Sequence, residues 1–93
     1  MSPIYIMREY VIEENGAKET VIHCYSSVSK AKQALHDYWM NDIDDTDYDT
    51  FIIDIDDSGN YKITIPKQIT DALGLYELYY TIEKTFLNAD FWT

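Results

Sequence analysis

The sequence predicts an α+β domain: a mainly antiparallel sheet with helices packed on one face, in the order β-β-α-β-β-α-β. Three observations carry this. Segments of period two come in pairs joined by Asn15-Gly16 and by Asp57-Ser58-Gly59-Asn60. One segment, 28–41, has helical period instead. Pro66 and Gly74 bracket a second, shorter helix. Ninety-three residues make one domain, 1–93, with one core.

Ile4 to Glu13 alternates, with Ile4, Ile6, Arg8, Tyr10 and Ile12 on one face and Tyr5, Met7, Glu9, Val11 and Glu13 on the other. Asn-Gly accepts positive φ cheaply, so 14–17 is a turn and the β-branched run Thr20 to Tyr25 returns as the second strand. Ser26, Ser27 and Ser29 offer hydroxyls to cap a helix. Val28, Ala31, Leu35 and Tyr38, widened by Ala34 and Trp39, form the stripe that covers the sheet. Residues 42–50 read as a polar connection anchored by Ile43 and Tyr48. Phe51 to Asp56 is a strand, with Phe51, Ile53 and Ile55 facing one way and Ile52, Asp54 and Asp56 the other. Tyr61 to Ile65 returns. Pro66 suits the first turn of a helix ending near Leu73, with Gly74 just past its end. Leu75 to Leu87 fits helix and strand periods alike. Tyr79, Tyr80, Thr81 and Ile82 decide for strand by propensity. Phe91 and Trp92 in the tail are expected to fold back onto the body.

The composition is that of a folded globule, with 46% hydrophobic and 15% aromatic residues. A formal net charge of −10 opposes approach to nucleic acid or an anionic membrane and favours a basic partner. The plain alternative is that the acidity serves solubility. Cys24 is the only cysteine, so no internal disulfide can form. The N-terminus lacks the features of a secretory signal and no apolar run approaches a membrane span, so a soluble cytoplasmic protein is expected.

Little in the chain invites catalysis, and neither enzyme activity nor a cofactor is expected. His23 and Cys24 leave opposite faces of a strand and cannot pair, and Cys24 reads as a small core residue. Asp54, Asp56, Ser58 and Gly59 match the opening of a calcium loop, but Ile65 stands where the bidentate carboxylate belongs. His23, Cys24 and His36 have no zinc spacing.

The segment 59–75, with Ile63, Ile65, Pro66, Lys67, Ile69, Leu73 and Gly74, resembles the core signature of the AbrB/MazE family of swapped-hairpin regulators and antitoxins. The resemblance implies a homodimer with interleaved hairpins that grips DNA, here through Lys62 and Lys67. Asn60 stands where that family usually has Arg, and Tyr76-Glu77-Leu78 replaces its Gly-Asp turn.

The strongest charge feature is the run 42–57, in which Asp42, Asp44, Asp45, Asp47, Asp49, Asp54, Asp56 and Asp57 fill half the positions and none is basic. On one strand face Asp54 and Asp56 would lie roughly 6.6 Å apart. That is sparser than the charge on duplex DNA, which falls about every 1.7 Å of axis. Small size, acidity and aromatic richness are similar to phage-encoded DNA-mimic and anti-CRISPR proteins. The expected function is therefore an acidic inhibitor that docks on a basic surface of a nucleic-acid-handling enzyme. The eight Asp would steer, and exposed Tyr from the strands would supply contact area. A dimeric DNA-binding regulator and an accessory domain with no active role are the alternatives.

Overall fold

The computed structural model of the chain describes residues 2–87, so the expected docking of Phe91 and Trp92 lies outside the described residues. The elements are β1 (Ser2–Glu13), β2 (Gly16–Tyr25), α1 (Val28–Trp39), α2 (Asp45–Tyr48), β3 (Ile52–Ile55), β4 (Tyr61–Thr64), α3 (Lys67–Ala72) and β5 (Glu77–Leu87). They form one five-stranded sheet in the order β2-β1-β5-β4-β3. Every neighbouring pair is antiparallel. The α+β class and the single small domain are as the sequence predicts, and the segment 75–87 forms a strand over Glu77–Leu87. The departure in order is α2, one turn of helix inside the expected polar connection.

The last strand joins the two hairpins. β5 pairs with β1 from Ser2↔Leu87 to Ile12↔Glu77, and its other edge takes β4 from Tyr61↔Ile82 to Thr64↔Tyr79. This register aligns one face across the sheet. Met7, Ile82 and Tyr61 form one row, and Glu9, Tyr80, Ile63 and Ile53 form the next. Helix α1 closes over this face with Ala31, Leu35 and Trp39, all buried with Met7, Phe51, Ile63, Ile65, Leu78, Tyr80 and Ile82. Tyr48 of α2 and Ile69 of α3 pack against the same cluster, so the helices share one face. The anchoring expected of Ile43 and Tyr48 holds.

Local chemistry sets the ends of these elements. The Ser27 hydroxyl accepts from the Lys30 amide at 3.1 Å and starts α1. Pro66 is the residue before α3 rather than within its first turn. Beyond Leu73 the chain stops the helix with two reversed bonds, Leu75 N–H to Thr70 at 2.9 Å and Gly74 N–H to Asp71 at 3.1 Å. That geometry needs a left-handed residue, and Gly74 supplies it at φ +74°.

Two expectations about burial fail. Cys24 is exposed, because β2 is an edge strand with its ring of neighbours on one side only. Tyr38 is 57% exposed while Trp39 is buried, since neighbouring helical positions diverge by about 100° and only one can aim at the sheet. Of Phe51, Ile53 and Ile55, only Phe51 is buried; β3 is the other edge and α1 does not reach over its far end. No helix among the described residues is long and apolar enough to cross a membrane.

Ile82 is fully buried where β1, β5 and β4 meet, and Ile55 is 59% exposed. Ile82→Ala is therefore expected to cost about 2–5 kcal/mol in urea unfolding. Ile55→Ala should stay within about 0.5 kcal/mol of the parent. Equal losses at the two positions would contradict this packing.

Candidate functional site: the acidic edge of the sheet

From Asp37 to Tyr61 the chain has no basic residue, and this stretch builds one margin of the domain. All eight Asp of 42–57 are exposed, but the fold divides them. Asp42, Asp44, Asp45, Asp47 and Asp49 gather around α2, before β3. Asp54 lies on β3, and Asp56 and Asp57 lie in the turn beyond it. The assigned strand β3 ends at Ile55, yet Asp56 continues its ladder by donating its N–H to the Asn60 carbonyl at 3.0 Å, while its carboxylate turns to the 56–60 turn. The two end groups are separated by the four residues of β3, about 13 Å of extended chain.

Three of these carboxylates have local work. Asp44 caps α2 by accepting from the Asp47 amide at 2.8 Å. Asp56 folds back over its own turn and accepts from the Ser58 and Asn60 amides at 2.9 and 3.0 Å. Asp45 accepts from His36 Nε2 at 2.8 Å, tying α2 to α1. His36 also lies edge-on to Tyr48, with ring centroids 4.8 Å apart. The carboxylates of Asp42, Asp47, Asp49, Asp54 and Asp57 make no hydrogen bond or ion pair among the described residues. Asp54 sits directly across from Lys62, yet the Lys62 ammonium lies over the Tyr79 ring instead, 4.4 Å from its centre. Asp54 is left facing outward without a contacting cation.

The bare face of the sheet, opposite the helices, has a different character. The chain's one arginine, Arg8, is held between Glu83 at 2.8 Å and Glu19 at 3.4 Å. Tyr10 donates to Glu19 at 2.9 Å and stacks on Tyr79 at 4.7 Å with an interplanar angle of 11°. That hydrogen bond to Glu19 is the main reason the Tyr10 phenol is harder to ionise than usual. The one arginine of this face is taken up by two glutamates, so the face adds aromatic surface beside the acidic edge rather than a competing positive patch. Alternation in 4–13 places Arg8 on this face, but its glutamate partners come from β2 and β5 and need the strand order.

Under α1, Tyr80 donates to Glu9 at 2.7 Å at the back of a cleft of about 280 Å³ lined also by Met7, Ile22, Tyr25, Leu35 and Tyr38. Burial first, then the bond to Glu9, pushes the Tyr80 phenol far above its ordinary range, so it serves as a fixed donor. Among the described residues no three His, Cys, Asp or Glu side chains cluster closely enough to hold a metal ion. The segment 59–75 folds as turn, strand, Pro, short helix and Gly in the expected sequence, with Lys62 engaged by Tyr79 and Lys67 opening α3.

Comparison with protein-family models, with curated proteins and with solved structures finds no match to this chain. The surface chemistry is the remaining guide to function.

The His36–Asp45 contact carries a pH dependence. The bond to Asp45, with help from Asp37, raises the His36 pKa above 6.5. Its contribution is thus fully present below the unfolded-state value and is lost as pH rises through the higher folded-state value. An NMR titration should find the His36 midpoint above 6.5 and Asp45→Asn should bring it down. A midpoint unmoved by that substitution would contradict the pairing.

Proposed function

We propose that this protein is a small acidic binding protein that docks on a basic surface of another protein and blocks it, a nucleic-acid-handling enzyme being the target class that fits best. The observation that supports this most is the unbroken stretch 37–61, without a basic residue, whose nine Asp are all exposed, eight of them flanking and occupying the β3 edge. A surface of one sign accelerates encounter with an opposite surface, while aromatic contact supplies affinity. The Tyr available for such contact are not on the strands, where they are expected, but Tyr38 of α1 and Tyr76 just before β5, 57% and 69% exposed. A charge of −10 makes direct binding of a polyanion unfavourable.

The five Asp without intramolecular partners are the ones to remove. Changing Asp42, Asp47, Asp49, Asp54 and Asp57 to Asn leaves the α2 cap, the 56–60 turn and the His36 contact in place. The wild type should capture a basic protein from host-cell lysate at low salt and release it as salt rises, because screening shortens the reach of exposed charges to about 3 Å near 1 M. The variant should lose that protein. Capture that ignores salt, or that survives the five substitutions, would contradict the reading. Recovery of a DNA fragment in place of a protein would favour the dimeric regulator.

A further inference from the structure

The two edges of the sheet are not equivalent. β2 is long, but its register against β1 slips between Met7 and Arg8, where one extra residue bulges. Such a bulge twists an edge away from a flat partner and discourages further pairing. β3 has no irregularity against β4. Its side chains are also unusual for a free edge: Ile52, Ile53 and Ile55 are 53%, 43% and 59% exposed. Natural edges are commonly blunted by lysine or proline, by a charge or by short length; β3 has neither lysine nor proline, and its four residues carry one charge, Asp54, which is acidic.

The backbone of β3 shows which groups face outward. Asp56 donates its N–H to the Asn60 carbonyl at 3.0 Å, so Asp56 points its polar groups toward the partner strand. In an antiparallel ladder these directions alternate. Asp54 and Ile52 therefore bond to β4, while Ile53 and Ile55 direct their N–H and C=O groups away from the sheet. The Phe51 N–H continues this outward set and is closed off by the Tyr48 carbonyl at 3.0 Å, which marks where the free edge begins.

We infer that β3 is a strand-addition site: it takes an extended, basic segment of a partner protein as a sixth strand of the sheet. This inference rests on the acidic-docking reading above and names the geometry of the contact. The two faces of β3 specify the incoming strand. Ile53 and Ile55 share the helix-covered face with Ile63 and Tyr61, so the added strand presents apolar side chains there. On the other face it meets Ile52 and the unpaired Asp54, with Asp56 and Asp57 beyond, so Lys or Arg is favoured there. The recognised pattern alternates apolar and basic residues, with main-chain bonds giving affinity and alternate side chains giving specificity. A second copy of this chain fits less well. Pairing two β3 strands through Ile53 and Ile55 sets Asp54 against Asp54, in a complex of two chains each carrying −10.

The test uses the full chain and an acetylated, amidated Lys-Val-Lys-Val-Lys-Val-Lys peptide, with amide NMR and fluorescence anisotropy as readouts. A second peptide carries N-methyl groups on its five central residues, which keeps its charge and removes its central donors. Ile53→Pro removes one outward N–H at a position where the ladder to β4 does not use it. The expected result is that the unmodified peptide binds and shifts the Ile53 and Ile55 amides. The N-methylated peptide and the Ile53→Pro variant should each weaken binding about tenfold or more. Equal binding of both peptides, or no binding of the unmodified one, would overturn strand addition. A partner lost by the five-Asn variant but kept by Ile53→Pro would also overturn it while leaving the acidic-docking reading in place. A free-chain dimer in sedimentation that Ile53→Pro abolishes would give the edge to a second copy and overturn the basic partner.

Discussion

The central position of β5 is the constraint on which the rest of this fold depends. Two hairpins, β1–β2 and β3–β4, have no direct ladder with each other; each is joined to the domain through one side of the last strand. Leu78, Tyr80 and Ile82 on β5 are all buried, and each extends a row that begins on β1 or ends on β4. Because β5 occupies the middle, β2 and β3 become the edges. α1 covers the β1–β5 side and leaves the end of β3 bare. The exposed acidic margin is thus a consequence of strand order as much as of composition.

The same order separates the charges of the domain by task. Arg8 is enclosed by Glu19 and Glu83 on the bare face, and Lys62 is drawn over Tyr79, so these two cations do not reach across to the Asp residues. Within the acidic stretch, Asp44, Asp45 and Asp56 stabilise the local chain, while Asp42, Asp47, Asp49, Asp54 and Asp57 remain open to solvent. Solubility alone would accept such charges anywhere on the surface. Their concentration around a regular edge with three exposed isoleucines is the feature that the proposed docking explains.

Much of the local architecture was legible in the residues. Asn15-Gly16 fixed the first hairpin, the stripe of Ala31 and Leu35 fixed α1, and the pairing of Pro66 with Gly74 fixed α3, because each is a short-range chemical signal. The choice of strand over helix for 75–87 rested on Tyr79 to Ile82 and was right, since those side chains pack on a pleated surface. What was not legible is nonlocal. Nothing near Cys24 in sequence says that it sits on an edge strand, where it is exposed rather than part of the core. The capping by Asp44 and the turn bonds of Asp56 were readable in principle from Asx chemistry. The acidic run reads as a connection, a strand and a turn, and the residues do not announce the turn of helix α2 inside that connection.

Amide-resolved hydrogen exchange, on the free chain and again with the basic segment bound, tests the account most directly. In the free chain the Ile53 and Ile55 amides should exchange near the rate of an unstructured peptide, while Ile52, Asp54 and Lys62 are protected by the β3–β4 ladder. On binding, Ile53 and Ile55 should become protected while the ladder amides change little. Slow exchange at Ile53 and Ile55 in the free chain, or rates there that binding leaves unchanged, would contradict an open edge that accepts a strand.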